Sequence, residues 1–176
     1  MDAAQSQHLG RIRQLREAFA EANERLVARL RGASDEAAVR AAAGEWSAAQ
    51  IGWHVAAVTT RFAGLISGDV AGAQPLPDDF RERTWPEVVA TIPPRLQAPA
   101  ALAPPPGVRR GQAIAALEAA GMRMARALDL LTPERGARMG ITSAVVGSIT
   151  VYQIGDWAIA HVIRHNRQAK RVLGEG

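Results

Sequence analysis

Apolar residues recur at steps of three and four near the start of the chain: Ile12, Leu15, Phe19, Ala22, Leu26 and Leu30, with Arg and Glu filling many positions between. That period lays one apolar stripe along a helix, so an amphipathic helix of about 28 residues is expected, ending at Gly32. Ser34 to Ala43 reads as a short Ala-rich helical piece stopped by Gly44. A second long helix opens on Ser47 and Gln50, a Ser-x-x-Gln capping box, with Trp46 placed ahead of the cap to staple onto Ile51. Its stripe is Ile51, His54, Val55, Val58, Phe62 and Leu65, and Gly68 ends it. A histidine therefore sits inside an apolar stripe.

From Asp69 to Val108 the periodicity breaks. Nine of the ten prolines lie between Pro75 and Pro106, which forbids a long helix or a central strand there. Thr84 and Glu87 form another capping box, which predicts a brief helix over Trp85 to Thr91. About forty residues without a major element is too long for a tight turn, so the segment reads as an ordered crossover to the other end of a bundle. The third helix carries Ile114, Leu117, Gly121, Met124, Leu128 and Leu131 and is expected to stop at Pro133. The fourth repeats the opening of the second, with Ile149 and Ile154 as staple, Thr150 as cap and Gln153 closing the box. Its inward stripe is Ile154, Ala158, His161, His165 and Val172. Together these elements predict an all-α chain: a four-helix bundle running up, down, down, up, with the Pro-rich crossover (69–108) between helices 2 and 3. Residues 1–176 are read as a single domain, because that length builds one core comfortably and two poorly.

Composition narrows the function classes. Alanine supplies 36 positions, which favours helix over sheet. Of the 21 basic residues only Lys170 is lysine, so the high sequence pI reports arginine chemistry, and the formal net charge is only +4. Acidic residues are interspersed throughout and no five-residue basic block exists, so no nucleic-acid partner is expected. The longest uncharged stretch, Met139 to Gly155, is broken by Thr142, Ser143, Ser148, Thr150 and Gln153, so no membrane span is expected either. Met1 to Arg13 lacks the apolar run of a signal peptide, which leaves the cytoplasm as the expected location. There is no cysteine, so any thiol chemistry must use a sulfur brought in by a ligand.

Three of the four histidines fall on predicted buried faces; His8, near the chain start, is expected to be solvated. His161 and His165 are four apart, so their rings project from one helix face about a turn apart. His54 lies about 10 Å below its cap, and the midpoint of the pair lies about 10–14 Å from the same end if helices 2 and 4 are antiparallel. Neutral imidazoles suit Zn, Ni, Cu or Fe, and three protein ligands leave a position open. The bland alternative is three hydrogen-bonded core histidines, but burying three imidazoles in an Ala/Leu interior leaves several ring nitrogens wanting partners.

Two segments carry a family resemblance. Glu45-Trp46-Ser47-Ala48-Ala49-Gln50-Ile51-Gly52-Trp53-His54 resembles the Trp-Ser-x3-Ile-x2-His opening of the second helix in the DinB-like (damage-inducible) family. The run from His161 through His165 to Gln168 is similar to that family's His-x3-His-x2-Gln signature. Helix order and the long crossover agree, so the resemblance covers most of the chain. It implies an up-down-down-up bundle with one divalent metal (Zn, Ni or Fe) on His54, His161 and His165. It also implies a function: the better-understood relatives are S-transferases and isomerases that use a low-molecular-weight thiol as cosubstrate. The expectation is a metalloenzyme with a small-molecule substrate, and the alternative is a non-catalytic metal- or small-ligand-binding bundle. Relatives often dimerise, which leaves a homodimer open.

Four further residues are candidates for the pocket. Gln50 and Arg61 lie on roughly the face of His54, where Arg61 is read either as an anchor for a carboxylate or as a snorkelling rim charge. Trp157 lies one turn before His161 and is read as pocket wall or core. Gln168 is placed to hydrogen-bond His165 and hold its tautomer. Asp156, five residues before His161, is poorly placed as a ligand.

Overall fold

The computed structural model describes residues 2–93 and 96–175. Four long helices dominate: α1 (Ala3–Gly32), α3 (Ala48–Ser67), α5 (Arg110–Asp129) and α7 (Val151–Val172). Three short helices join them, α2 (Asp35–Val39), α4 (Trp85–Val89) and α6 (Pro133–Arg138). A small sheet completes the chain, formed by β1 (Gln74–Pro75), β2 (Met139–Ser143) and β3 (Gly147–Thr150). No helix among the described residues is long and apolar enough to cross a membrane.

The long helices begin and end where their side chains require. Ser47 Oγ accepts from Gln50 N–H while Gln50 Oε1 accepts from Ser47 N–H, so two otherwise orphaned donors at the start of α3 are satisfied. Thr150 and Gln153 make the same reciprocal pair at the start of α7. At the other end of α3, Gly68 takes the left-handed conformation with φ of 94°, which glycine adopts without strain.

The stripes meet in one core. Leu15, Leu26 and Leu30 of α1, Ile51 and Ile66 of α3, Leu117, Met124 and Leu128 of α5 and Ile154 of α7 are all buried in it. Early α1 meets early α7, through His8 with Tyr152 and an ion pair of Arg11 with Asp156, and late α1 meets late α7 through Arg29 and Asn166. Early α1 meets late α5 instead, through an ion pair of Arg16 with Asp129. Early α3 meets late α7, where His54 faces His161 and His165. Gly52 lets α3 lie close to its neighbours, since a Cβ there would come within 2.8 Å of Leu30 and 3.3 Å of Ala113.

The structure corrects the sequence reading in five places. The chain is mostly helical but not purely so. The uncharged stretch after Met139 forms a β2–β3 hairpin, with Ser143 paired to Gly147 and Gly140 to Thr150. Its β-branched residues Ile141, Thr142, Ile149 and Thr150 suit a pleated surface, and Gly147 closes the turn at φ of 69°. The crossover supplies β1, which pairs with β2 at the sheet edge, where Pro75 does no harm. The helical piece expected over Ser34–Ala43 shrinks to α2, which Ser34 caps and which gives way at Arg40. Pro133, expected only to terminate a helix, starts α6 behind a Thr132 cap, since its missing N–H is not needed there. His8, expected to be solvated, is 8% exposed and lies 2.6 Å from Tyr152 Oη, because α1 is ordered from Ala3 and docks its first turns on α7.

Candidate metal centre

His54 is buried in the second turn of α3, while His161 and His165 project half-buried from α7. One ring nitrogen from each lies within 4.8 Å of the others. His54 Nε2 and His161 Nε2 are 3.2 Å apart. The ring centroids are 5.1 Å apart for His54 and His161, 4.9 Å for His54 and His165, and 4.4 Å for the α7 pair. This is the only such group of three or more His, Asp or Glu side chains among the described residues.

The outer ring nitrogens fix the tautomers. His54 Nδ1 donates to the carbonyl of Leu102 in the late crossover at 2.8 Å, which leaves Nε2 with its lone pair toward the cluster. His165 Nδ1 donates to Gln168 Oε1 at 2.8 Å with the same effect. Burial pushes all three imidazoles below their ordinary range. For His54 it outweighs the opposing Leu102 hydrogen bond. His161 is held well down, by burial first and then by the neighbouring imidazoles and Arg164. His165 is lowered to about 4, mainly by burial and then by His54. All three rings are therefore neutral at pH 7 and carry lone pairs.

This arrangement fits a divalent cation. Two nitrogens sharing a tetrahedral zinc at about 2.0–2.1 Å stand about 3.3 Å apart, close to the His54–His161 separation. His161 Nδ1 is buried without a partner. Neither tautomer of that ring satisfies every nitrogen on its own: Nδ1 lacks a partner in both, and the one with the proton on Nδ1 also sets two Nε2 lone pairs face to face. A cation between the Nε2 atoms removes the second conflict. Three neutral imidazoles can hold Zn, Ni or Fe.

Gln168 hydrogen-bonds a histidine of the cluster, while the other pocket candidates have their own partners or face solvent. Gln50 is occupied by its cap and by the carbonyl of Pro105, to which Nε2 donates at 3.2 Å. Arg61 is exposed. Trp157 packs on Phe62, ring centroids 5.3 Å apart. Asp156 is engaged by Arg11, and burial raises its carboxyl above the usual range despite that cation. Two contacts escaped the sequence reading. Trp46 lies against His54 with ring centroids 4.9 Å apart, although its place before the helix cap marked it only as a staple. The Leu102 contact is made by main chain, which leaves no side-chain signal to read.

A mostly helical chain whose second and last long helices bring three neutral histidines together defines a candidate helical metalloprotein. The family model of the DinB superfamily matches residues 18–169, and the chain belongs to that superfamily. No curated protein shows significant sequence similarity to it.

Proposed function

We propose that the chain is a metal-dependent enzyme built as an up-down-down-up four-helix bundle, in which His54, His161 and His165 hold one divalent ion and a low-molecular-weight thiol is the cosubstrate. The order in which the helices meet supports the topology: α1 with α7 and α3 with α5 contact early to early, while α1 with α5 and α3 with α7 contact early to late. The observation that carries the metal reading is the meeting of three imidazole nitrogens, two of them with their outer nitrogens tied to oxygen acceptors. His54, His161 and His165 would hold the ion, which when bound would lower the proton affinity of a thiol beside it.

The chain's own residues do the rest. Leu102 and Gln168 hold two imidazoles in the tautomer that presents Nε2. Trp46 lies against His54 with the two rings tilted by 48°. The crossover is tied to α3 through Leu102 and Pro105. The absence of cysteine fits a protein whose sulfur arrives with its substrate. An S-transferase or isomerase is the reaction class this supports best, with an epoxide, alkyl halide or activated double bond as the electrophile.

The test is metal content per chain on untagged protein, beside His54→Ala and His161→Ala variants, followed by turnover with a thiol and an electrophilic probe. About one ion per wild-type chain, lost in both variants, is the expected result. Full occupancy in His54→Ala overturns the ligand set. Full occupancy without turnover of any thiol leaves a non-catalytic metal-binding bundle.

A further inference from the structure

Between residues 96 and 107 the crossover runs along the surface of the bundle, with no residue buried and Leu102 half-buried against the core. Pro99, Pro104, Pro105 and Pro106 have no N–H to donate, so regular pairing is closed to the segment. Its own bonds make one tight turn, with Leu102 N–H donating to the Pro99 carbonyl at 2.8 Å and Ala103 N–H to the Ala100 carbonyl at 3.2 Å. Among the described residues, two hydrogen bonds tie the segment to the rest of the protein, and side chains of α3 donate both. Gln50 Nε2 reaches the Pro105 carbonyl at 3.2 Å in an exposed position, and His54 Nδ1 reaches the Leu102 carbonyl at 2.8 Å in a part-buried one. A segment with so little buried surface opens locally at low cost. The shorter of its two ties comes from a histidine of the cluster.

That tie depends on which nitrogen of the neutral His54 ring carries its one proton. Two acceptors compete for it: the Leu102 carbonyl at Nδ1, and His161 Nε2, which lies 3.2 Å from His54 Nε2. With the proton on Nδ1, the bond to the crossover is made. With the proton on Nε2, His54 donates to His161 instead, and its Nδ1 lone pair faces the Leu102 oxygen. The crossover then loses its shorter tie. When Nε2 is committed to an ion, the competition ends. The proton stays on Nδ1, and the positive charge on the other side of the ring makes that N–H a stronger donor.

We propose that His54 is a latch through which metal occupancy of the three-histidine cluster fastens the late crossover to α3. The latch rests on the reading of His54, His161 and His165 as a metal centre. Gln50, which touches the crossover but no ring of the cluster, is the tie that metal leaves unchanged. The coupling is reciprocal: the factor by which an ion favours the docked crossover is the factor by which the docked crossover favours the ion. That factor is about fivefold, the gain of a charge-assisted hydrogen bond over a neutral one.

Hydrogen–deuterium exchange of the full chain, with and without saturating zinc at neutral pH, reads the latch at the amides of Leu102 and Ala103, which exchange when the turn opens. Zinc should slow both about fivefold. Gln50→Glu keeps the oxygen that caps α3 and removes the donor to Pro105. It should speed exchange in both states and leave the effect of zinc in place; loss of that effect puts the coupling on the wrong tie and overturns the latch. Nitrogen NMR of the His54 ring in the zinc-loaded chain should show Nε2 ligated and Nδ1 protonated, and ligation through Nδ1 overturns the latch as well. Zinc content of the same samples separates the two readings. Bound zinc with unchanged exchange at Leu102 and Ala103 rejects the latch alone, and a chain that takes no zinc rejects the metal centre and the latch with it.

Discussion

His54 is held on several sides: a carbonyl on Nδ1, a tilted tryptophan ring beside it and two imidazoles beyond Nε2. His165 has one outer partner, Gln168, supplied by its own helix. Replacing Gln168 with Leu keeps the bulk and removes the acceptor, so zinc affinity should fall about 10–100-fold while the ligands stay in place. A competition titration against a zinc chelator measures it, and an unchanged affinity would mean that the His165 tautomer is set by something else. The same imidazoles make the metal-free protein sensitive to acid. Their folded pKa values lie below the ordinary 6.5, and for His165 the value is about 4. Above pH 6.5 they are neutral in both folded and unfolded chains. As pH falls from 6.5 toward 4 the unfolded chain takes up protons that the folded chain refuses, so stability is lost through that window. Urea denaturation of the chelator-treated protein at pH 7.5 and 5.0 should show a lower midpoint at pH 5.0, and His165→Asn should shrink the difference.

At the scale of elements, the capping boxes make two predictions. Ser47→Ala should cost about 1 kcal/mol, the usual worth of an N-cap. Thr150→Ala should cost more, because its hydroxyl also donates to Glu82 in the crossover at 2.8 Å. Gly140→Ala should be the most damaging, at about 2 kcal/mol or more, since a Cβ there would run into the carbonyl oxygen of Ile149 in the paired strand, which cannot rotate away. Equilibrium denaturation ranks the three, and equal losses for the two cap variants would deny the Glu82 contact any weight. The boxes that make these predictions were also the most legible part of the sequence, because a cap and its partner three residues on announce a helix start without tertiary help. The hairpin was not legible. Its pairing joins residues across a turn and borrows Gln74 and Pro75 from the crossover, contacts that no local period encodes. The three histidines could be read because two share a helix face and the third sits in an apolar stripe. The Leu102 carbonyl and the burial of His8 could not, since both are set by where distant segments dock.

For the whole molecule, a metal that binds only the folded chain acts as a stabiliser. Zinc at a thousand times its dissociation constant should add about 4 kcal/mol, read as a raised thermal midpoint that a chelator reverses. His54→Ala should abolish the rise without abolishing folding. A midpoint that zinc leaves unmoved would separate the histidines from any metal-holding role. The crossover carries one more consequence. The sheet it joins ends on one side in β1, two residues long and half of it a proline that has no N–H to offer. On its other side, the Arg83 guanidinium binds the Val146 carbonyl and Glu82 binds the Thr150 hydroxyl. Both margins are short, two residues at β1 and four at β3, and short edges give a strand from another molecule little to copy. Crowded together, copies of this chain find only a short ladder here to extend.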